Sequence, residues 1–235
     1  MMENRLQDER AQDVRENLLR IQDAIAEAKV RAGRENEEIH IMAVTKTVPP
    51  ELVNIAVENG VTLLGENRVQ EMLSKYEAYD PRAEVHFIGA LQSNKVKYIV
   101  DKVTLIHSVD SLKLAREIDK RAAALGRTMD ILLEVNVAGE ASKSGVSPEE
   151  LPSLLAEAEA LSAVRIRGLM TIPPIGEGAK YFSSMERIFV DMQGKKSDNV
   201  PMDILSMGMS DDFVSAVLHG STLVRIGTRL FGSRK

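Results

Sequence analysis

Between residues 5 and 31 the apolar positions Leu6, Val14, Leu18, Ile21, Ile25 and Ala28 recur every three or four places, with charged residues between them. That period describes an amphipathic helix with one buried face, and Gly33 then stops it. Beyond this point short β-branched runs alternate with longer helical patterns. Strands are predicted at 39–46, 62–65, 84–89, 104–108, 131–137, 165–172, 203–207 and 223–227, and helices at 50–59, 68–79, 111–125, 148–161 and 179–193 between them. These helical stretches are long enough to return the chain to a parallel neighbour. Runs such as ILLEVNV and TLVRIG are apolar without alternation, as strands covered on both faces require.

About eight strand–helix units in 235 residues favour closure into one barrel, for which about 250 residues is usual, over an open doubly wound sheet. No linker rich in Pro, Gly or Ser divides the chain. The expected fold is therefore α/β, a single (β/α)8 TIM barrel occupying 1–235, with an extra N-terminal helix in 1–34 packed on it.

Composition narrows the functions open to such a barrel. Hydrophobic residues at 44% and charged residues at 28% are the balance of a soluble globular protein. A net charge of -5 provides no general field for nucleic acid or an anionic membrane, so neither is expected as a partner. With no cysteine, disulfides, thiolate metal sites and a cysteine nucleophile are excluded, and no metal is expected. The N-terminus has no apolar stretch of signal length and no run approaches membrane-spanning length, so a cytoplasmic protein is expected; a monomer is the expected state.

In a barrel of this kind function sits at the C-terminal ends of the strands. The first strand ends AVTKT, with Lys46; the second GENR, with Asn67 and Arg68; the third HFIGALQSNK, with His86, Gly89, Gln92 and Asn94. The fifth ends EVN, the sixth GLMTI, the seventh LSMGMSDD and the eighth VRIGTRLFG. An amine in a low-dielectric mouth has its charged form destabilised, which would make Lys46 a nucleophile for imine formation with an aldehyde; a plain surface lysine is the alternative. Ser210 reads as the N-cap of a following helix, facing an anion, and Gly227 and Thr228 allow backbone amides to approach one. Phosphate sites in such barrels are frequently built after strands seven and eight; a simple cap and a tight turn are the alternatives. Arg225 shares the inward face with Gly227, and needs either a carboxylate such as Glu66 or Glu134 or a ligand nitrogen.

The motifs AVTKT, GENRVQE, HFIGALQSNK, GLMTI, LSMGMSDDF and STLVRIGTRLFG, spread from 39 to 232, resemble those of the pyridoxal phosphate homeostasis protein family, which is similar in fold to the barrel domain of alanine racemase. The resemblance implies that Lys46 holds pyridoxal 5′-phosphate (PLP) as a Schiff base, and that Ser210 with Gly227 and Thr228 holds its phosphate. It further implies that Arg225 faces the pyridine nitrogen, and that Asn67, His86 and Met170 lie around the ring. The role implied is a carrier or buffer of the cofactor in vitamin B6 homeostasis, without catalysis, with PLP-dependent apo-enzymes as partners. Two rivals share Lys46 and a phosphate loop: an amino-acid racemase and a Schiff-base aldolase. The racemase needs a second acid/base, and Tyr76, Tyr79, Tyr98 and Tyr181 all fall in helical stretches or at their edges. Lys95 and Lys97 read as solvated lysines, with a second aldehyde site as the alternative, and 139–145 reads as a mobile rim loop.

Overall fold

Eight parallel strands, β1 His40–Val44, β2 Leu63–Glu66, β3 Glu84–Phe87, β4 Leu105–Val109, β5 Met129–Glu134, β6 Val164–Met170, β7 Ile204–Met209 and β8 Leu223–Ile226, close into a barrel in chain order. The structure is a computed structural model; it describes residues 2–140, 143–174, 176–195 and 197–232, with side chains from residue 9 onward. Residues 141 and 142 of the expected rim loop, and the side chain of Leu6, lie outside the described residues.

The helices are α1 Met2–Arg31, α2 Pro50–Glu58, α3 Val69–Lys75, α4 Leu112–Ala124, α5 Leu151–Glu159, α6 Gly178–Gln193, α7 Phe213–Leu218 and α8 Thr228–Phe231. Alternation along each strand divides the core in two. Outward residues such as Ala43, Leu64, Phe87, Ile106, Leu169 and Val224 join the helices in one large buried cluster. Inward residues form two small ones, Met42, Val44, Ile88 and Leu223, and Leu105, Leu132 and Met170. Other inward positions are polar, and of these His86, His107, Glu134, Ser206 and Arg225 are buried.

α1 lies against α2, α7 and α8, so it covers the seam where β1 meets β8. Its apolar face, Val14, Leu18, Ile21, Ile25 and Ala28, is buried in the outer core, and Asn17 Nδ2 donates to the Leu230 carbonyl at 3.2 Å.

Several expected boundaries are corrected. The stretch 68–79 holds α3 and then a separate 3₁₀ turn, Tyr76–Ala78, and Tyr79 beyond it packs in the outer core, where its hydroxyl donates to Glu66. The crossing from β3 to β4 is only a 3₁₀ turn, Ser93–Tyr98. The helix expected from 148 starts at Leu151, because Ser147 first closes a turn by accepting from Glu150 N. Strands end before 46, 89, 137 and 172, the residues beyond each ladder having left it to build the mouth. Gly168 sits where the β5–β6 register shifts, with φ 157; an added Cβ would lie 1.8 Å from the Ile204 carbonyl oxygen, so only glycine fits.

Candidate functional site

Lys46 stands two residues past β1, between two anchored threonines. Thr45 is fully buried; its hydroxyl donates to Glu66 Oε1 at 2.8 Å and its carbonyl accepts from Lys75 Nζ at 2.9 Å. Thr47 has φ 61, a conformation that a β-branched side chain resists, and its N–H donates to the Glu71 carboxylate, which also accepts from Lys75 Nζ at 2.6 Å. Lys46 itself is half-buried. It lines a cleft of about 310 Å³ whose other wall carries Gly227 and Thr228.

That wall follows from the pairing of β8 with β1, which sets Ala43 opposite Ile226 and brings Gly227 beside Val44. Glycine at 227 starts α8, and the first amides of a helix have no carbonyl within it to bond. Ser210 Oγ accepts two neighbouring amides, Gly227 N–H and Arg229 N–H, each at 3.2 Å. Ser210 is therefore not the N-cap of the helix that follows it, as expected; Asp212 holds that position in α7, and the Ser210 hydroxyl reaches across to α8. The physical reason is proximity: β7 and β8 are neighbours in the barrel, so their two loops meet.

Arg225, 3% exposed, donates through one NH to Ser206 Oγ at 2.6 Å and through the other to the Thr171 carbonyl at 2.9 Å. Its partners are thus a hydroxyl and a carbonyl, and of the two alternatives, a carboxylate or a ligand nitrogen, the carboxylate is not the one that pairs with it. Glu66 faces the helices, where it accepts from Thr45 and Tyr79, and Glu134 accepts from Ser144 Oγ at 2.8 Å. Burial pulls the Arg225 pKa down to about 10, with Glu134 and Asp212 opposing, so the guanidinium remains charged at neutral pH. Burial also raises both the Glu66 and the Glu134 carboxyls above the ordinary range.

Met170 ends β6 inside the barrel, paired with Glu134 on one side and Ser206 on the other. Asn67 follows β2 and is fixed by Gly89, where a Cβ would lie 2.1 Å from the Asn67 carbonyl oxygen. Its Oδ1 is buried without a hydrogen-bond partner, and it lines a hollow with Arg68, Gln92 and Lys95, apart from the Lys46 cleft. His86 sits elsewhere in the barrel. It lines a cavity of about 470 Å³ at the N-terminal ends of the strands, with Glu84, Asp130, Arg167 and Asp203. Its Nδ1 lies 3.0 Å from His107 Nε2, whose other nitrogen, Nδ1, lies 3.1 Å from Ser206 Oγ. His86 thus adjoins Arg225 only through two intervening side chains.

Lys46, Gly227 and Thr228 share one cleft, Ser210 is bonded to the Gly227 and Arg229 amides, and Arg225 and Met170 lie buried inside the barrel. His107, Ser206 and the Thr45–Glu66–Tyr79 group were missed by the sequence reading. Strand parity alone would have turned His107 and Ser206 inward; the direction of Tyr79 carried no signal. Chemically, the cleft brings an amine together with backbone amides and a hydroxyl at a helix start, and the barrel interior adds a donor-only cation.

Residues 14–235 match the model of the alanine racemase N-terminal domain. A pyridoxal phosphate homeostasis protein of Aquifex aeolicus is 47% identical over 225 residues, covering 94% of this chain and 98% of that one. The structure of PipY from Synechococcus elongatus with PLP bound has a TM-score of 0.81 at 32% identity, covering 93% of this chain and 100% of that one. Alanine racemase of Corynebacterium glutamicum, at 13% identity, shares the fold: its TM-score is 0.71, covering 97% of this chain and 61% of that one. With a barrel of this architecture and a relative at this identity along almost its whole length, the chain belongs to the pyridoxal phosphate homeostasis protein family.

Proposed function

We propose that this protein binds PLP covalently and reversibly through Lys46 and serves vitamin B6 homeostasis as a carrier or buffer of the cofactor. The observation that carries the reading is the cleft that Lys46 lines together with Gly227 and Thr228, with Ser210 bonded to the Gly227 and Arg229 amides. The donor set fits the cofactor: an amine for its aldehyde, amides and a hydroxyl for its phosphate, and a guanidinium for its ring nitrogen. Bound there, PLP supplies an aldehyde that condenses with an amine, releasing one water, and a ring able to accept electrons.

The remaining work falls to the chain. Ser210 can turn its hydroxyl proton towards a phosphate oxygen while still accepting the two amides. Arg225 has donors only, so it cannot give the ring nitrogen a base to share a proton with and, kept charged, disfavours a proton there. Electron uptake by the ring is weakened, which suits storage better than turnover. We assign Met170 to the floor beneath the ring and Asn67 to its rim, with His86 acting through His107 and Ser206.

The racemase reading fares worse on one observation: no tyrosine lines the Lys46 cleft among the described residues. Tyr79 is committed to Glu66, and burial beside that carboxylate raises its pKa far from useful proton transfer. We further read 1–235 as one cofactor-binding domain that includes the N-terminal helix, acting as a cytoplasmic monomer that delivers PLP to apo-enzymes. No helix among the described residues is long and apolar enough to cross a membrane. Borohydride reduction of the protein mixed with PLP, followed by peptide mass spectrometry, should place the adduct on Lys46 and find none there in Lys46→Ala. An unmodified Lys46 in folded protein with excess PLP sinks the proposal.

A further inference from the structure

We propose that His107 is a positioning residue for the cofactor site: acting through Ser206, it fixes where Arg225 points, by way of a hydrogen-bonded chain across the barrel interior that has only one permitted direction. This rests on the reading of Arg225 given above. The chain runs Arg225, Ser206, His107, His86, with contacts of 2.6, 3.1 and 3.0 Å. A guanidinium can only donate, so Ser206 Oγ must accept from Arg225. The Ser206 hydroxyl proton then has His107 Nδ1 as its acceptor, which requires the unprotonated face of that ring. A neutral His107 with a bare Nδ1 carries its proton on Nε2 and donates it to His86 Nδ1. His86 in turn carries its own proton on Nε2, next to the cavity that holds Glu84, Asp130, Arg167 and Asp203. The reverse direction would make His107 donate to Ser206 and leave the buried serine proton without an acceptor, a costly arrangement.

The surroundings favour neutral rings throughout. Leu105, Leu132 and Met170 form an apolar layer inside the barrel, and His107 and Ser206 are fully buried. Burial holds His107 well below the usual imidazole range, with His86 and Arg225 adding to the push. Burial also brings His86 down to about 3; His40 and Arg167 act in the same sense and Asp130 opposes them. The chain therefore keeps its direction across physiological pH, and Arg225 is held by a hydroxyl whose second bond is already committed.

Two measurements test this. In ¹⁵N-edited spectra of the full-length, cofactor-free protein, both rings should be neutral with the proton on Nε2 from about pH 5 to 8, the range in which an ordinary imidazole titrates. A proton on Nδ1 of His107, or titration of His107 in that range, overturns the proposal. In PLP-binding assays read by visible absorption, His107→Leu should hold the cofactor about tenfold more weakly, the size of one lost bond to a charged group's partner, and shift the absorption band. His107→Asn, whose side-chain oxygen can accept the Ser206 proton, should recover affinity to within about twofold. Equal loss in both variants overturns the positioning role. If wild-type protein never links PLP to Lys46, the cofactor reading fails instead, and the ring tautomers still decide the direction of the chain.

Discussion

Thr47 shows how a single residue can hold a reactive neighbour in place. Its φ of 61 is disfavoured for a branched side chain, and such a conformation persists only when its surroundings over-determine it. Here the Glu71 carboxylate does so, itself anchored by Lys75. Glu71→Ala should therefore lower stability by about 1–2 kcal/mol, the range for losing a partly exposed charge-assisted bond, and should slow PLP uptake by Lys46. Urea unfolding and the rate of growth of the visible band check the two effects; unchanged uptake would show that the Thr47 conformation is unrelated to the site. Placement was legible in the sequence where it follows from position along a strand: Lys46 and Gly227 beyond strand ends and the inward turn of Arg225 were read from position and parity. Glu71, Tyr79 and His107 were not, because their partners lie on other elements and are fixed only when the barrel closes.

Among the elements, α1 and the β5–β6 pair carry the clearest consequences. Ile21 is 1% exposed in the face that α1 turns to the barrel. Ile21→Ala should cost about 3 kcal/mol through lost contact and the cavity left behind, measured as a fall in the urea midpoint with an unchanged slope. Gly168→Ala should be more damaging, since the new methyl would meet the Ile204 carbonyl of the next strand. Eight strands could be read from the sequence because their apolar runs are dense and bounded by turns. α7 and α8 could not, being six and four residues long, too short for a helical period to appear. Ser210 was misassigned for the same reason: its partner helix is the short one after β8, not the one next in sequence.

For the molecule as a whole, the polar filling of the barrel sets its response to acid. Unfolded, His86 and His107 take up protons below the ordinary 6.5; folded, His86 does so only near 3 and His107 is likewise depressed. The unfolded state thus binds more protons in that window, and stability falls as pH drops through 6.5, by about 1.4 kcal/mol per pH unit for each ring. Glu66 and Glu134 are shifted upward, so their contribution is present below 4.5 and lost as pH rises, which opposes the histidines in the overlap. Comparing wild type with His107→Asn isolates one ring: the variant should gain relative stability steadily as pH falls below 6.5. Urea midpoints at a series of pH values measure it, and a difference independent of pH would refute the burial of a neutral imidazole.

The helix laid over the seam between the first and last strands ties the timing of folding to the far end of the chain. Asn17 and Leu230 are 213 residues apart in sequence yet bonded to each other, and contacts across so long a loop are slow to form. On the ribosome the apolar side of that opening helix has α2 to rest on but lacks its other two supports until α7 and α8 have been made. A hydrogen-exchange pulse during refolding should find the amides shared by β1 and β8 among the last to gain protection.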